Sequence, residues 1–452
     1  MTNLVRTLSF RDMVLLIVGS VIGSGIFLVP GVVLRQVDGS VGVAILVWVG
    51  GGVLSLLGAL TYGEMAAMKP EAGGLYVYIR DAFGPMPAFL YGWAMFLAIS
   101  SGTIASLAVA FSTYLNAVLP LGPVTSKLIS VLTIVLVTAV NVWGTRKSSD
   151  FQNWTTLIKV LMILSMCAVL LFLGRGYSAT ASAIPAGTVN VALLSKFGLG
   201  MIGVLWAYEG WQFITYSAGE VKNPQKDFPR SLLWSVLALA AVYLIANAGY
   251  LVALGPAHAA ASDTIAATAF TAVLGPSAGK LIALTILISV FSAVNTVPLT
   301  APRVFYAMAS DGLFFRKLAD VHPGFHTPAT AIIALGIWSA VLSCFGQFQQ
   351  LISYTIFVAW IFYGLGAASI FVYRTKYADL PRPYRVPGYP WTPLIFTLAA
   401  AALVVNVVVS TPVNGMAGLG IVAIGVPVYF LWRNRSGGTL AQRVDVRSIS
   451  PE

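Results

Sequence analysis

Charge is scarce in this chain. Asp, Glu, Lys and Arg make up 9% of its 452 residues, against about 25% in ordinary soluble domains, which leaves too few charged side chains to cover a water-facing surface. Histidine is scarcer still: His258, His322 and His326 are the only three, and none has the H-E-x-x-H spacing of a zinc site, so no metal is expected. The two cysteines, Cys167 and Cys344, fall inside apolar stretches, which argues against a disulfide framework. The nearest approach to a phosphate-binding loop, Gly275 to Leu281 (GPSAGKL), has three residues rather than four between its glycines and ends in leucine. It is no ATPase loop. Neither catalytic residues nor a cofactor is expected, and the enzyme classes are set aside.

What the chain has instead is apolar length. Hydrophobic residues reach 58% and the mean hydropathy is +0.86, values of an integral membrane protein with the lipid bilayer as its solvent. About twelve stretches are long enough to span: 11–34, 41–68, 86–118, 124–144, 151–173, 196–218, 231–254, 277–305, 328–346, 350–373, 391–410 and 415–432. The opening MTNLVRTLSFRDMVLL lacks a small-residue cleavage site and reads as retained rather than as a signal peptide. A net charge of +11 raises the question of nucleic acid. With an even number of spans, however, 20 of the 26 basic residues fall on the side that also holds both termini. Positive charge so sorted is a topology signal, and it predicts cytoplasmic termini and no nucleic-acid partner.

The stretch GSVIGSGIF, Gly19 to Phe27, places three glycines and two serines within seven residues of the first span. One reading is close helix packing, because Gly19 and Gly23 form a small-xxx-small pair. The other is that the helix unwinds around Gly23, Ser24 and Gly25, so that free backbone N–H groups open a second half-helix whose partial positive charge suits a carboxylate. A matching interruption elsewhere separates the two, and the sixth span supplies one. LWAYEGWQ sets Glu209 and Gly210 among bulky aromatics about 185 residues after the first break, the pattern of inverted repeats with paired broken helices. An acid at that depth costs about 2.5–3.5 kcal/mol, so Glu209 is expected to face a cavity or a partner. Carbonyls freed around Trp206 and Ala207 would face an ammonium group. Sites for a carboxylate and an ammonium, several ångströms apart, describe an α-amino acid.

The sequence resembles the amino acid/polyamine/organocation superfamily and, within it, bacterial relatives of the L-type amino acid transporters. The resemblance is carried by VGSVIGSGIF in the first span and YGEMAAMKPEAGGLYVYIRDAFGPMPAFLYGW across the second and third. It continues through WAYEGWQ and GEVKNPQKDFPRSL at the sixth, APRVFYAMASDGLFF after the eighth and YRVPGYPWTP before the eleventh. It implies an all-α polytopic membrane protein with a LeuT-like 5+5 inverted repeat, discontinuous helices 1 and 6 and two added C-terminal helices. The implied organisation is a cytoplasmic N-terminus (1–10), a first repeat (11–173), an extracytoplasmic loop (174–195), a second repeat (196–373), helices 11 and 12 (391–432) and a cytoplasmic tail (433–452).

By the same resemblance, the backbone of Gly23, Ser24 and Gly25 holds the substrate carboxylate. Trp206, Ala207 and Glu209 hold the amino group, and Trp206 acts as a gate. Many animal relatives carry glycine where this chain has Glu209, which leaves the substrate's charge open between neutral and cationic amino acids; neutral is the expectation. Lys159, about eight residues into the fifth span, corresponds to a lysine that stands in for sodium in sodium-independent relatives. It is either a fixed strut, held by a nearby acid, or a group that cycles its proton. Ser100, Ser101, Thr103 and Asn295 are weaker candidates for the pathway, with helix packing or the capping of a kink as the alternatives. The loop LPLGPVTSK, Leu119 to Lys127, lacks the cysteine by which animal relatives join an accessory glycoprotein, so no disulfide-linked partner is expected. The implied function is sodium-independent amino acid transport across the plasma membrane of a bacterium-like cell by exchange. Proton symport, cationic amino acid or polyamine transport, and a channel are the alternatives.

Overall fold

The computed structural model describes residues 6–175, 191–346 and 348–435. Residues 1–5, most of the expected outer loop (176–190) and the tail beyond 435 lie outside the described residues.

The first span is two helices, α1 (Phe10–Val21) and α2 (Gly25–Gln36), bent by 44° across Ile22–Ser24. A capping box starts α1: Ser9 Oγ accepts the Asp12 backbone N–H while the Asp12 carboxylate accepts the Ser9 N–H, so two orphan donors of the helix start are satisfied together. The second span is α3 (Val41–Met68), and the short α4 (Leu75–Phe83) follows it. The third is a near-continuous rod of α5 (Pro85–Ala94), a π turn (Met95–Ile99) and α6 (Ser100–Val118). α7 (Pro123–Val142) and α8 (Thr145–Leu173) are the fourth and fifth. The sixth is broken again: α9 (Val191–Ala207) ends before a turn, and a 3₁₀ stretch (Trp211–Glu220) carries the chain on.

α10 (Pro224–Ala261), the short α11 (Ile265–Leu274), α12 (Pro276–Thr300) and α13 (Pro302–Ser310) come next. α14 (Ala329–Phe345), α15 (Phe348–Lys376), α16 (Trp391–Ser410) and α17 (Pro412–Arg435) complete the described chain. Nine segments among the described residues are long and apolar enough to cross a bilayer singly, and the bent α1–α2 pair makes ten. The remaining two of the twelve expected spans are α9 and α14, with 17 residues each, or about 26 Å at 1.5 Å per residue.

Burial sorts these helices into a centre and a shell. In the most apolar 18-residue window of Pro85–Asn116 and of Pro276–Ser310, 78% of the residues are buried, against 22% in those of Pro123–Val142 and Pro412–Arg433. The shell turns Leu132, Phe172, Val409 and Val413 outward, an apolar exterior that only lipid solvates well. The polar exception is one face, here called the basic face, where α4, α13 and the end of α15 meet. Asp81 there pairs with Lys69 (2.7 Å) and Arg80 (2.9 Å), and Arg80 also reaches Asp311 (2.7 Å). Burial pushes the Asp81 carboxyl up, and the nearby charges of Arg80 and Lys69 more than reverse that push, holding it below the usual carboxylate range. The Glu64 carboxylate, buried beneath the same face, takes Arg374 Nε at 3.0 Å and Nη2 at 2.7 Å.

Candidate functional site

Ile22 leaves the helical region (φ −73°, ψ 91°) and ends α1; α2 begins again at Gly25. The first N–H groups of α2 therefore have no partner within the helix and carry its partial positive charge. In the sixth span Gly210 adopts φ +122°, a left-handed conformation that a side chain resists, and this turns the chain after Ala207. The two breaks touch. A Cβ on Gly25 would lie 2.5 Å from Ala207 Cα, so only glycine permits this approach. Ser20 Oγ donates to Gly210 O at 3.0 Å, and Trp206 Nε1 lies 3.5 Å from Ser24 Oγ.

Between them is a small cavity lined by Gly23, Ser24 and Gly25, by Trp206, Glu209 and Phe213, and by Thr103 of α6 and Ala293 of α12. It leaves about 20 Å³ for the centre of a water molecule, room for roughly one water. Anything much larger than water entering it must displace side chains, and Trp206 and Phe213 are the bulkiest on the wall.

The carbonyls at the breaks already have donors. Lys159 Nζ donates to Gly19 O (2.5 Å) and Ile22 O (2.7 Å), and Ser289 Oγ lies 3.4 Å from Ile22 O. Tyr243 of α10 stands between the two broken helices, its hydroxyl 3.0 Å from Val21 O and 2.8 Å from Ala207 O. A hydroxyl has one proton, so it serves these two acceptors in turn. The sequence reading left the carbonyls at Trp206 and Ala207 free; in the structure Ala207 O has Tyr243 and Trp206 O accepts the Glu209 N–H at 3.1 Å.

Glu209 is buried with one carboxylate oxygen committed. Its Oε1 accepts from Tyr363 OH (2.5 Å) and Gln212 Nε2 (2.6 Å). Lys159 lies 14 residues into α8, about 21 Å from the helix start, deeper than the eight residues read from the sequence because the helix begins at Thr145. No acid stands beside it among the described residues; its partners are backbone carbonyls. Of the three candidates on this helix Thr103 lines the cavity, while Ser100 and Ser101 are buried off its wall, Ser100 Oγ being 3.7 Å from Met95 Sδ. Asn295 also stays off the wall, hydrogen-bonded to Asn141 (2.8 Å) and Gln152 (3.2 Å). The sequence reading missed Ser20, Tyr243, Gln212 and Tyr363. The available signal was their polarity within apolar spans, since each such group must find a partner in the membrane.

The sequence profile described as amino acid permease matches residues 8–429. The chain belongs to the amino acid permease family. Among this permease's relatives is the serine/threonine exchanger SteT of Bacillus subtilis, 29% identical over 93% of this chain and 95% of its own length. The b(0,+)-type amino acid transporter 1 of Mus musculus is 31% identical over 91% of this chain and 84% of its own. The large neutral amino acids transporter small subunit 2 of Rattus norvegicus is 32% identical over 93% and 80%.

Proposed function

We propose that this permease exchanges neutral L-amino acids by alternating access around the paired helix breaks. The observation that carries the reading is that an N-terminal helix end (Gly23, Ser24, Gly25) and the end of α9 (Trp206) line one cavity, with Ala207 off its wall but packed against Gly25, because opposite partial charges a few ångströms apart match a zwitterion. The α-carboxylate is held by the backbone of Gly23, Ser24 and Gly25. The amino group takes the carbonyl of Ala207, beside Trp206 and Glu209. Trp206 is the gate. Glu209 favours neutral substrates in this reading, since Tyr363 and Gln212 already engage one oxygen of its carboxylate. The relatives' names, a serine/threonine exchanger and a large neutral amino acid transporter, agree with that class.

Sodium is not required in this reading, because the Lys159 ammonium already occupies the point where Gly19 O and Ile22 O converge. The basic face is cytoplasmic and the membrane is the plasma membrane of a bacterium-like cell. Residues 11–173 and 196–373 are inverted repeats, supported by the short helices α4 and α11, which each follow the second span of their half. The chain works without a disulfide-linked glycoprotein. A second reading, proton symport, is favoured by one observation: Lys159 is a buried ammonium with no opposite charge beside it among the described residues.

The test is uptake of labelled alanine, serine, threonine and leucine into sodium-free proteoliposomes, with and without internal amino acid and with the pH gradient varied independently. Exchange predicts uptake that needs internal substrate and ignores the gradient. Uptake into empty vesicles driven by inward protons, and made pH-independent in Lys159→Gln, would establish symport instead. Competition by lysine or arginine stronger than by alanine, serine or leucine would overturn the neutral class.

A further inference from the structure

Half-helix α1 is hinged at Ile22–Ser24, and something must fix its far end. The chain just before it lies extended against the segment after the sixth span. Thr7 N and Leu8 N both donate to Glu220 O at 2.9 Å, and Lys222 N donates to Leu8 O at 2.9 Å. Leu8 is 1% exposed, so the clip is sealed from water on its apolar side. Glu220 takes part with its backbone, and its side chain is fixed independently: Arg303 Nε lies 2.7 Å from Oε1 and Nη2 3.2 Å from Oε2. Their side chains are 1% and 2% exposed. A two-point guanidinium–carboxylate contact fixes orientation as well as distance. Arg303 is the second residue of α13, directly after α12, so the Glu220–Arg303 pair joins the N-terminal segment, the sixth span and the end of α12.

We infer that Arg303 and Glu220 are positioning residues that hold half-helix α1 docked through the Leu8–Val221 clip, and so set how often the permease opens on its basic face. The inference rests on the transport reading for its consequence and on geometry alone for the clip. α1 cannot tilt at its hinge while Leu8 remains paired with both Glu220 and Lys222. Releasing the clip raises the population open to the basic face. Apparent affinity for substrate then rises on that side and falls on the other, because it scales with the competent fraction on each side.

The test uses the full-length protein with Cys167→Ala and Cys344→Ala and a reporter, Met13→Cys, at a position on α1 that is 0% exposed. Two variants loosen the clip without leaving a bare buried charge. Thr7→Pro removes one N–H donor, and Arg303→Lys keeps the charge but loses the two-point contact. A membrane-impermeant thiol reagent on the basic face should label Met13→Cys at least fivefold faster in both. The ratio of half-saturation on the opposite face to that on the basic face should rise by a similar factor. Arg374→Lys, which loosens the buried pair with Glu64 away from α1, is the control and should leave labelling within twofold. The inference is overturned if Thr7→Pro and Arg303→Lys, monodisperse and melting near the parent, label at the parent rate. It is equally overturned if Arg374→Lys accelerates labelling as much as they do. Labelling needs no transport, so a protein that carries no amino acid would sink the transport reading and leave the clip standing or falling on its own.

Discussion

Gly25→Ala probes the contact on which the site depends. The added Cβ would lie 2.5 Å from Ala207 Cα and 2.7 Å from Ala207 Cβ, about 1 Å inside ordinary carbon–carbon contact. Ala207 Cα is backbone at a helix end and has no rotamer by which to retreat, so the two breaks must part. Overpacking of this kind costs about 1–3 kcal/mol, a factor of roughly 5 to 160 in any equilibrium that needs the breaks together. Gly23→Ala is the matched control. Its Cβ would meet the Ala293 side chain at 3.3 Å and Leu107 at 3.5 Å, contacts that shift by a few tenths of an ångström. Both variants keep every backbone N–H, so a difference between them reports spacing and not lost donors. The assay is initial-rate exchange of labelled serine in proteoliposomes, with thermal unfolding of the detergent-solubilised protein measured alongside. Gly25→Ala should lose at least fivefold in rate over half-saturation while Gly23→Ala loses less. Exchange by Gly25→Ala within twofold of the parent would refute the contact as the basis of the site.

Tyr243→Phe removes the one hydroxyl shared by Val21 O and Ala207 O and leaves two buried acceptors, a cost of about 1–3 kcal/mol. Exchange should fall at least fivefold in a protein that still folds, and unchanged kinetics would show that the hydroxyl does not matter. Asp81→Asn should lower the melting temperature at pH 7, by the equivalent of roughly 3 kcal/mol for a buried pair that loses one member. Because the folded carboxyl sits below its ordinary value, its stabilisation is complete above the unfolded value near pH 4 and is lost as pH falls through the folded one. Parent and variant should therefore keep the same gap at pH 7 and 5, and the gap should narrow only below about pH 4, as melting curves are carried down towards about pH 2.5; a gap that stays constant into that acid range would remove Asp81 as the cause.

The apolar spans were legible because the bilayer demands an unbroken hydrophobic length, and 41–68 and 391–410 coincide with α3 and α16. The breaks were legible for the opposite reason: GSVIGSGIF and LWAYEGWQ place residues where a lipid-embedded helix has no use for them. The short helices α4 and α11 were not foreseen. Nine or ten residues are too few to impose a period on the sequence, and α4 is held by tertiary contacts such as Gly73 N donating to Tyr216 O at 2.9 Å. Lys159 stood out, but its partners did not, since a backbone carbonyl leaves no mark in the sequence. The acid expected beside it is not among its partners. Tyr243 and Tyr363 were passed over because a tyrosine in an apolar span is as often a membrane-interface anchor as a hydrogen-bond donor.

The proposed exchange bears on the donors placed at the two breaks. Gly19 O, Val21 O, Ile22 O, Ala207 O and Gly210 O all have side-chain donors close by before any ligand arrives. An ammonium group that takes Ala207 O therefore replaces a hydrogen bond and does not simply add one, and only the difference contributes to binding. Tyr243, with one proton and two acceptors, then has Val21 O alone to serve. In the proposed binding mode the last turn of α1 would feel the substrate across the break without touching it. In the proposed mode, substrate would have to exchange these contacts before the two breaks could move apart.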